Sequence, residues 1–371
     1  MPHILTINPG STSTKVGIFR GDVLQAEGAL RHSDADLEVY RGRPILDQLR
    51  LRVQAITTWL SESGHAGTQW AAVCARGGLL SAVESGTYVI DTAMLDELKQ
   101  AGRGEHASNL GAFLATFFAA QVGCPAFIVD PVSVDELDEV ARISGLAGLE
   151  RVALSHALNT KAVAKRYAHE IGAEYRQLRL IVAHLGSGIS VSAHRDGRMV
   201  DVNNSREEGP FSTERAGTLP ALALVQQAIE EEWTREEAER RLFREGGIYS
   251  YLRTRDLAEI LRSTDKYALL IVNAMIHQVC KEIAAMAAVL NGRVAAILLT
   301  GGMAHAKPVT TRIIEAVDWI APVQIYAGED ELRALAEGAQ RVLRGEEPAK
   351  VYALQVKTPA TADLRPTLPL P

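Results

Sequence analysis

The stretch 4–21, ILTINPGSTSTKVGIFRG, returns in altered form at 181–197 as IVAHLGSGISVSAHRDG. Two copies make two related half-molecules. Each copy is a β-branched apolar run, a Gly/Ser/Thr turn and a second run ending in a charged turn that closes on Gly21 or Gly197. That pattern predicts a β-hairpin with a special loop. Gly10 matches Gly186 and Ser11 matches Ser187, 176 positions apart, and the copies align without a gap.

A chain of 371 residues exceeds one ordinary core, so two domains are expected, in agreement with the duplication. Hydrophobic content of 47% with 23% charged residues describes a globular chain rather than a disordered or fibrous one. A net charge of −6, with no basic stripe, argues against a nucleic-acid surface. Cys74, Cys124 and Cys280 have no close spacing; a sparse, odd set fits a reducing compartment, and the cytoplasm is the expected location. Met1 runs almost directly into a strand without the marks of a secretory signal. The most apolar helical window, 268–290, is interrupted by Lys281 and Glu282, which predicts a buried amphipathic helix and no membrane span.

Along the chain, helices are expected over 46–61, from about 91, and over 107–121, 155–171, 234–244, 272–290 and 330–344. Buried strands are expected at 70–80, 126–130, 295–300 and 323–326. The strand-helix-strand order predicts α/β topology. Beyond Glu346 the chain turns Pro/Thr-rich and reads as a loosely held tail.

The first loop, Asn8-Pro9-Gly10-Ser11-Thr12-Ser13-Thr14-Lys15, gathers backbone donors, hydroxyls and one cation within a single turn. Such groups suit phosphate oxygens and a hydrated metal, although a lone copy reads first as an ordinary polar hairpin and it is the second copy that changes the reading. His184-Leu185-Gly186-Ser187-Gly188 repeats the form, and the strand ending in Gly301-Gly302-Met303-Ala304-His305 supplies a third glycine turn able to admit an adenosine.

With these loops in view, the chain resembles the acetate and butyrate kinases, carboxylate kinases of the actin, sugar-kinase and Hsp70 superfamily. INPGSTSTK, ARGGLL, GEHASNLGA, VDPVSVDE, SHALNTKAVAK, VAHLGSGIS, DVNN, GPFSTERAGTLP, LTGGMAHAK and GEDE stand in that family's order across about the first 345 residues. ERAGTLP and the VNN segment look more like the butyrate and branched-chain members.

The resemblance implies an α/β, duplicated ribonuclease-H-like (actin-like ATPase) fold of two domains, with mixed β-sheets flanked by helices. Its domains are expected at 1–152 and 153–330, with the nucleotide in the cleft between them. The final helix, about 330–345, is expected to pack back on the first domain, and 346–371 forms the tail. It also implies reversible transfer of the γ-phosphoryl group of ATP to a short-chain carboxylate, giving an acyl phosphate and ADP, with Mg²⁺ bridging phosphates. A carboxylate is already ionised at neutral pH, so the difficulty is bringing two anions together rather than removing a proton.

By resemblance Arg76, His156, Arg215 and Asp130 are catalytic. Both arginines clamp the carboxylate and the transferring phosphoryl, His156 hydrogen-bonds that group, and Asp130 lies near metal and acceptor. Read alone, the arginines are surface ion-pair partners, His156 a structural histidine and Asp130 a helix cap. Asn8, Ser11, Ser13, Lys15, Gly78 and Ser155 are expected at the substrate and phosphates. His184, Gly186, Ser187, Gly188, Asp256, Gly301, Gly302 and Met303 are expected at the nucleotide, and Asn8 and Glu331 at Mg²⁺, with Glu329 and Asp330 competing for the latter place. Ser155 stands where many family members carry Phe, and Gly78 where acetate kinases carry an aliphatic residue. Both suggest an acyl chain longer than acetate, such as butyrate or a branched acid, over the alternative of acetate or propionate. A sugar kinase or polyphosphatase would share the glycine loops but need an Asp base, and a non-catalytic nucleotide-binding scaffold would need no Arg76–His156–Arg215 set. The family also implies a homodimer or higher homo-oligomer, to which 268–290 contributes either an interface or an interior helix.

Overall fold

The computed structural model describes residues 2–354. The chain forms two compact units, Asp135–Asp330 and a discontinuous one in which Met1–Val134 is joined by the chain from Glu331 onward.

In the first unit, β1 (His3–Pro9), β2 (Ser13–Arg20) and β3 (Val23–Arg31) form an antiparallel meander. β4 (Trp70–Arg76) adds to β1 in parallel, and β6 (Ala126–Val129) adds to β4 in parallel. β5 (Thr87–Val89) and β12 (Lys350–Val351) extend the sheet, giving the order β12-β5-β6-β4-β1-β2-β3. In the second unit β7 (Leu180–Leu185), β8 (Ile189–Arg195) and β9 (Arg198–Val202) form the same meander. β10 (Ala296–Gly301) and β11 (Val323–Ala327) add in parallel, in the order β11-β10-β7-β8-β9. The string β3-β2-β1-β4-β6 is therefore repeated strand for strand by β9-β8-β7-β10-β11. This is the duplicated ribonuclease-H-like arrangement of actin-like ATPases, with mixed sheets flanked by helices.

Side-chain alternation places the helices. Leu5, Ile7, Val73 and Ala75 point to one face of the first sheet, where Ile56 and Leu60 of the helix Leu49–Glu62 and Leu110 and Leu114 of Leu110–Val122 cover them. Phe19 points to the other face and meets Leu332 and Ala336 of the helix Glu331–Leu343. In the second sheet Ile181, Ala183, Ile297 and Leu299 pack with the helix Lys266–Val289. Leu180, Val182, Ala296 and Leu298 pack with Val163 and Ala164 of Ala157–Glu170. Lys266–Val289 is long and apolar enough by composition to cross a membrane, but Ile271, Val272, Met275, Val279, Ile283 and Met286 are buried in this core, so one face of the helix packs on the second sheet.

Three expectations change. The hairpins differ by one residue at their loops, because Pro9 pairs with Thr14 whereas Leu185 pairs with Ile189. The closing glycines are consequently not equivalent. Gly21 (φ 58°) is the first central residue of its turn, as a type II′ turn requires. Gly197 (φ 75°) is the second, after Asp196 (φ 55°), as in type I′. The first domain also stops at Val134 rather than 152. Residues 135–151 are tied into the second unit by Lys161–Glu136, the Asp138 N–H to Val200 O bond of 2.9 Å, and Arg151 with Asp201 at 3.0 Å.

Finally, the expected tail is ordered as far as residue 354. β12 pairs with β5, and Tyr352, 1% exposed, accepts from the Ser81 amide at 3.0 Å and donates to Glu97 at 2.5 Å. The rest of the tail, 355–371, lies outside the described residues. Tyr352→Phe leaves the buried Ser81 N–H and the Glu97 oxygen without this partner, and is expected to cost about 1–3 kcal/mol in chemical denaturation. A loss under a few tenths would show that the segment does not clip the Ser81 loop.

Candidate active site

Asn8, Arg76 and Asp130 stand at the carboxyl ends of β1, β4 and β6, three neighbouring parallel strands; Ile7 pairs with Ala75, and Arg76 with Val129. Open α/β sheets bind ligands at such ends. Asn8, 6% exposed, donates its amide to Glu331, the first residue of Glu331–Leu343. Arg76 pairs with the same carboxylate at 3.1 Å. One carboxylate thus joins two strand ends to a helix start. The acidic run is divided among partners. Glu329 lies 3.8 Å from His184 and Asp330 lies 3.7 Å from Arg166, while Glu331 faces Asn8 and Arg76.

The first loop closes through the Gly10 amide and the Ser13 carbonyl at 2.8 Å. Ser11 and Lys15 are exposed, and Ser13 is half-buried. Asp130, 3% exposed, has φ 38°, and its Oδ1 accepts from Ser85 Oγ at 2.6 Å and the Gly86 amide at 2.7 Å. That oxygen is engaged in holding a turn.

In the second unit His184 is 2% exposed near the end of β7, and His156 precedes the helix Ala157–Glu170. Their rings stack with centroids 3.8 Å apart and planes 12° from parallel. His156 Nδ1 meets Ser190 Oγ at 3.0 Å. Asn159 fixes the neighbouring ring: its amide donates to Glu329 O at 2.6 Å, so its Oδ1 accepts, and His184 Nδ1 at 2.9 Å carries the hydrogen. Gly186 and Gly188 close the loop through a 3.1 Å backbone bond, and the Ser187 carbonyl accepts from Ser212.

Arg215 lies on this loop. A Cβ on Gly188 would come 2.4 Å from its Nη1, so only glycine permits the approach. The guanidinium donates to Ser205 O at 2.9 Å, and burial lowers its pKa. Gly301 (φ 88°) ends β10, exchanging backbone bonds of 2.9 and 3.0 Å with Gly328; Gly302 follows in the open, and Met303 is buried.

Three of the expected site residues make other contacts. Asp256 is exposed and caps the helix Leu257–Arg262, accepting from the Glu259 amide at 2.9 Å, with no contact to the glycine loops among its hydrogen bonds. Gly78 does not open an acyl pocket, because a Cβ there would lie 2.4 Å from Asn109 Oδ1 and 2.7 Å from Asn109 Cα. Ser155, 5% exposed, directs its hydroxyl to Met199 Sδ at 3.7 Å. Gaps in the expected set also appear. Asn159 has the role just described, and Asn203 supports the start of β8 by donating to Ile189 O at 2.9 Å and accepting from the Val191 amide. Arg52 grips the first loop from the helix Leu49–Glu62, and its place on the buried stripe with Ile56 and Leu60 was a readable signal.

Asn8 and Glu331 offer one amide and one carboxylate, and the described residues contain no group of three or more His, Cys, Asp or Glu able to hold a metal. This donor set fits Mg²⁺ that keeps waters and phosphate oxygens as its other ligands, not a metal caged by protein alone.

The fold and these strand-end loops define the actin-like ATPase fold class. A profile of the acetokinase family matches residues 148–361, more than half of the chain. The chain belongs to the acetokinase family, a family of carboxylate kinases. It is similar to acetate kinase from Porphyromonas gingivalis, with a TM-score of 0.77 and 16% identity, covering 92% of this chain and 99% of that one. A propionate kinase from Francisella tularensis subsp. tularensis SCHU S4 gives 0.70 and 18% over 91% and 99%. Acetate kinase from Entamoeba histolytica gives 0.70 and 16% over the same shares. At such identities the likeness concerns the fold.

Gly78→Ala is expected to lower stability by about 1–3 kcal/mol through overpacking against Asn109, leaving the ranking of acyl substrates unchanged. Denaturation and a substrate panel on the variant check both halves; a changed ranking would return Gly78 to the acyl pocket.

Proposed function

We propose that the chain is an ATP-dependent kinase of short-chain carboxylates, forming acyl phosphate and ADP reversibly. The observation that carries this reading is an arginine at each set of loops, Arg76 beside Asn8 and Glu331 at the strand ends of one unit and Arg215 against Gly188 in the other, where His156 and His184 stack. Two anions must meet in such a reaction, and no proton need be removed from a carboxylate at neutral pH.

In this reading Arg76 and Arg215 hold the carboxylate and the transferring phosphoryl, and His156 donates to the latter. Asn8, Ser11, Ser13 and Lys15 orient phosphoryl oxygens. His184, Gly186, Ser187 and Gly188 receive nucleotide phosphates, while Gly301, Gly302 and Met303 border the base. Bound through Asn8 and Glu331, Mg²⁺ supplies charge neutralisation and alignment of the phosphates. The hydroxyl-acceptor alternative needs a carboxylate base, and the engagement of Asp130 Oδ1 with Ser85 and Gly86 disfavours it.

Within the class, the ERAGTLP and VNN segments favour butyrate or a branched acid over acetate or propionate. A homo-oligomer, implied by the family, is supported by the exposed apolar residues Leu222, Val225 and Ile229 along one side of the helix Ala221–Glu230.

Trapping acyl phosphate as a hydroxamate in the presence of ATP, Mg²⁺ and hydroxylamine should give product with butyrate, isobutyrate and isovalerate at higher kcat/KM than with acetate. Acetate leading would leave the acetate or propionate kinase alternative; no hydroxamate with any acid would end the carboxylate reading. Arg76→Ala and Arg215→Ala are each expected to lower kcat by about 10²-fold or more, and full turnover in either would remove that arginine from the chemistry.

A further inference from the structure

The helix Leu49–Glu62 buries Arg52, Ile56 and Leu60 on one face. Arg52 is 0% exposed, yet no carboxylate pairs with it among the described residues. Its Nη1 donates to Gly10 O at 2.9 Å, Thr14 Oγ1 at 3.0 Å and Ser13 O at 3.3 Å. Its Nη2 donates to Gln48 Oε1 at 2.9 Å and Ser11 O at 3.4 Å, and its buried Nε has no hydrogen-bond partner. Every acceptor is neutral. Burial pulls the guanidinium down to about 10, which still leaves it charged at neutral pH. A buried cation met only by dipoles is costly to the fold, and its charge is left over for another group.

The same contacts orient the loop. In a trans peptide the N–H points opposite to the C=O. Turning the carbonyls of Gly10 and Ser11 onto Arg52 therefore turns the amides of Ser11 and Thr12 away from it. Both residues are exposed, and neither amide has a backbone partner among the described residues. The Thr12 carbonyl is also held, by the His32 amide at 2.9 Å. Successive N–H groups facing one way form an anion-binding nest.

We propose that Arg52 is the positioning residue of an anion site on the Ser11 and Thr12 amides, fixing their direction and supplying the uncompensated charge that favours a phosphoryl group there. The phosphoryl identity of the anion rests on the carboxylate-kinase reading; the direction of the amides and the buried charge do not.

The test is calorimetric titration of the full chain with inorganic phosphate against chloride at equal ionic strength. Arg52→Gln, which keeps part of the hydrogen bonding but no charge, is expected to weaken phosphate binding about tenfold or more, with Arg52→Lys recovering part of the loss. A merely structural arginine would lower thermal stability while leaving phosphate affinity of the folded Arg52→Gln protein within about twofold of wild type, and that result overturns the proposal. Should Arg52→Gln fail to fold, hydrogen exchange on the wild type decides: phosphate must slow the Ser11 and Thr12 amides, and no slowing overturns it. Arg52-dependent phosphate binding in a protein that forms no hydroxamate would sink the kinase reading alone. Hydroxamate formation with Arg52-independent phosphate binding would sink this proposal alone.

Discussion

The Glu331 carboxylate is the junction on which the first unit's site depends. It receives the Asn8 amide from the end of β1 and pairs with Arg76 from the end of β4, while its backbone begins the helix that covers the Phe19 face of the sheet. A carboxylate at a helix start is favoured by the unpaired amides there. Glu331 is also where the chain re-enters the first unit, so the position that returns the chain sets the geometry of the strand ends. Its two neighbours are spoken for otherwise, Glu329 toward His184 and Asp330 toward Arg166.

The duplicated hairpins show how one scaffold came to hold two unlike loops. The extra residue between Pro9 and Thr14 lets Gly10 bond Ser13 and turns carbonyls inward onto Arg52. The tighter loop between Leu185 and Ile189 leaves Gly186 bonded to Gly188, and the cation lies against it from outside, as Arg215 on Gly188. At the positions matching Asn8 and His184 the contrast continues. Asn8 reaches a carboxylate, whereas His184 is fixed by Asn159 and stacked on His156. The loops are alike in the hairpin that carries them and opposed in where their charge comes from.

Much of this was legible because periodicity and glycine report on backbone. Buried runs such as 126–130 and 295–300 became β6 and β10 within a residue, and the repeated hairpin was found with its loop glycines in place. Contacts between distant segments were not legible. The role of Gly78 is written in Asn109, that of Asp130 in Ser85 and Gly86, and the early crossing at 134/135 in the bonds of Glu136, Asp138 and Arg151 to partners later in the chain. Closing glycines matched by spacing proved to occupy different turn positions, since spacing counts residues and a turn is defined by pairing. Arg52 shares the buried face of its helix with Ile56 and Leu60, so helical spacing places it inside although arginine as a residue type points to the surface.

On the carboxylate-kinase reading, these contacts also separate what would fix the reaction class from what would fix the substrate within it. The arginine, histidine and amide groups are held by backbone carbonyls, strand ends and buried partners, so within each unit their positions follow from the fold. The acyl chain, by contrast, would be read by side-chain volume, and the two positions first taken to enlarge it are accounted for otherwise. Asn109 occupies the space beside Gly78, and Ser155 is buried against Met199. A pocket discriminates one methylene by only about 1–3 kcal/mol, a difference that small packing shifts around such residues can create or erase. The cationic framework can therefore remain constant while preference drifts among acetate, propionate, butyrate and branched acids, and the choice among them belongs to the residues lining the acyl group rather than to the loops that define the class.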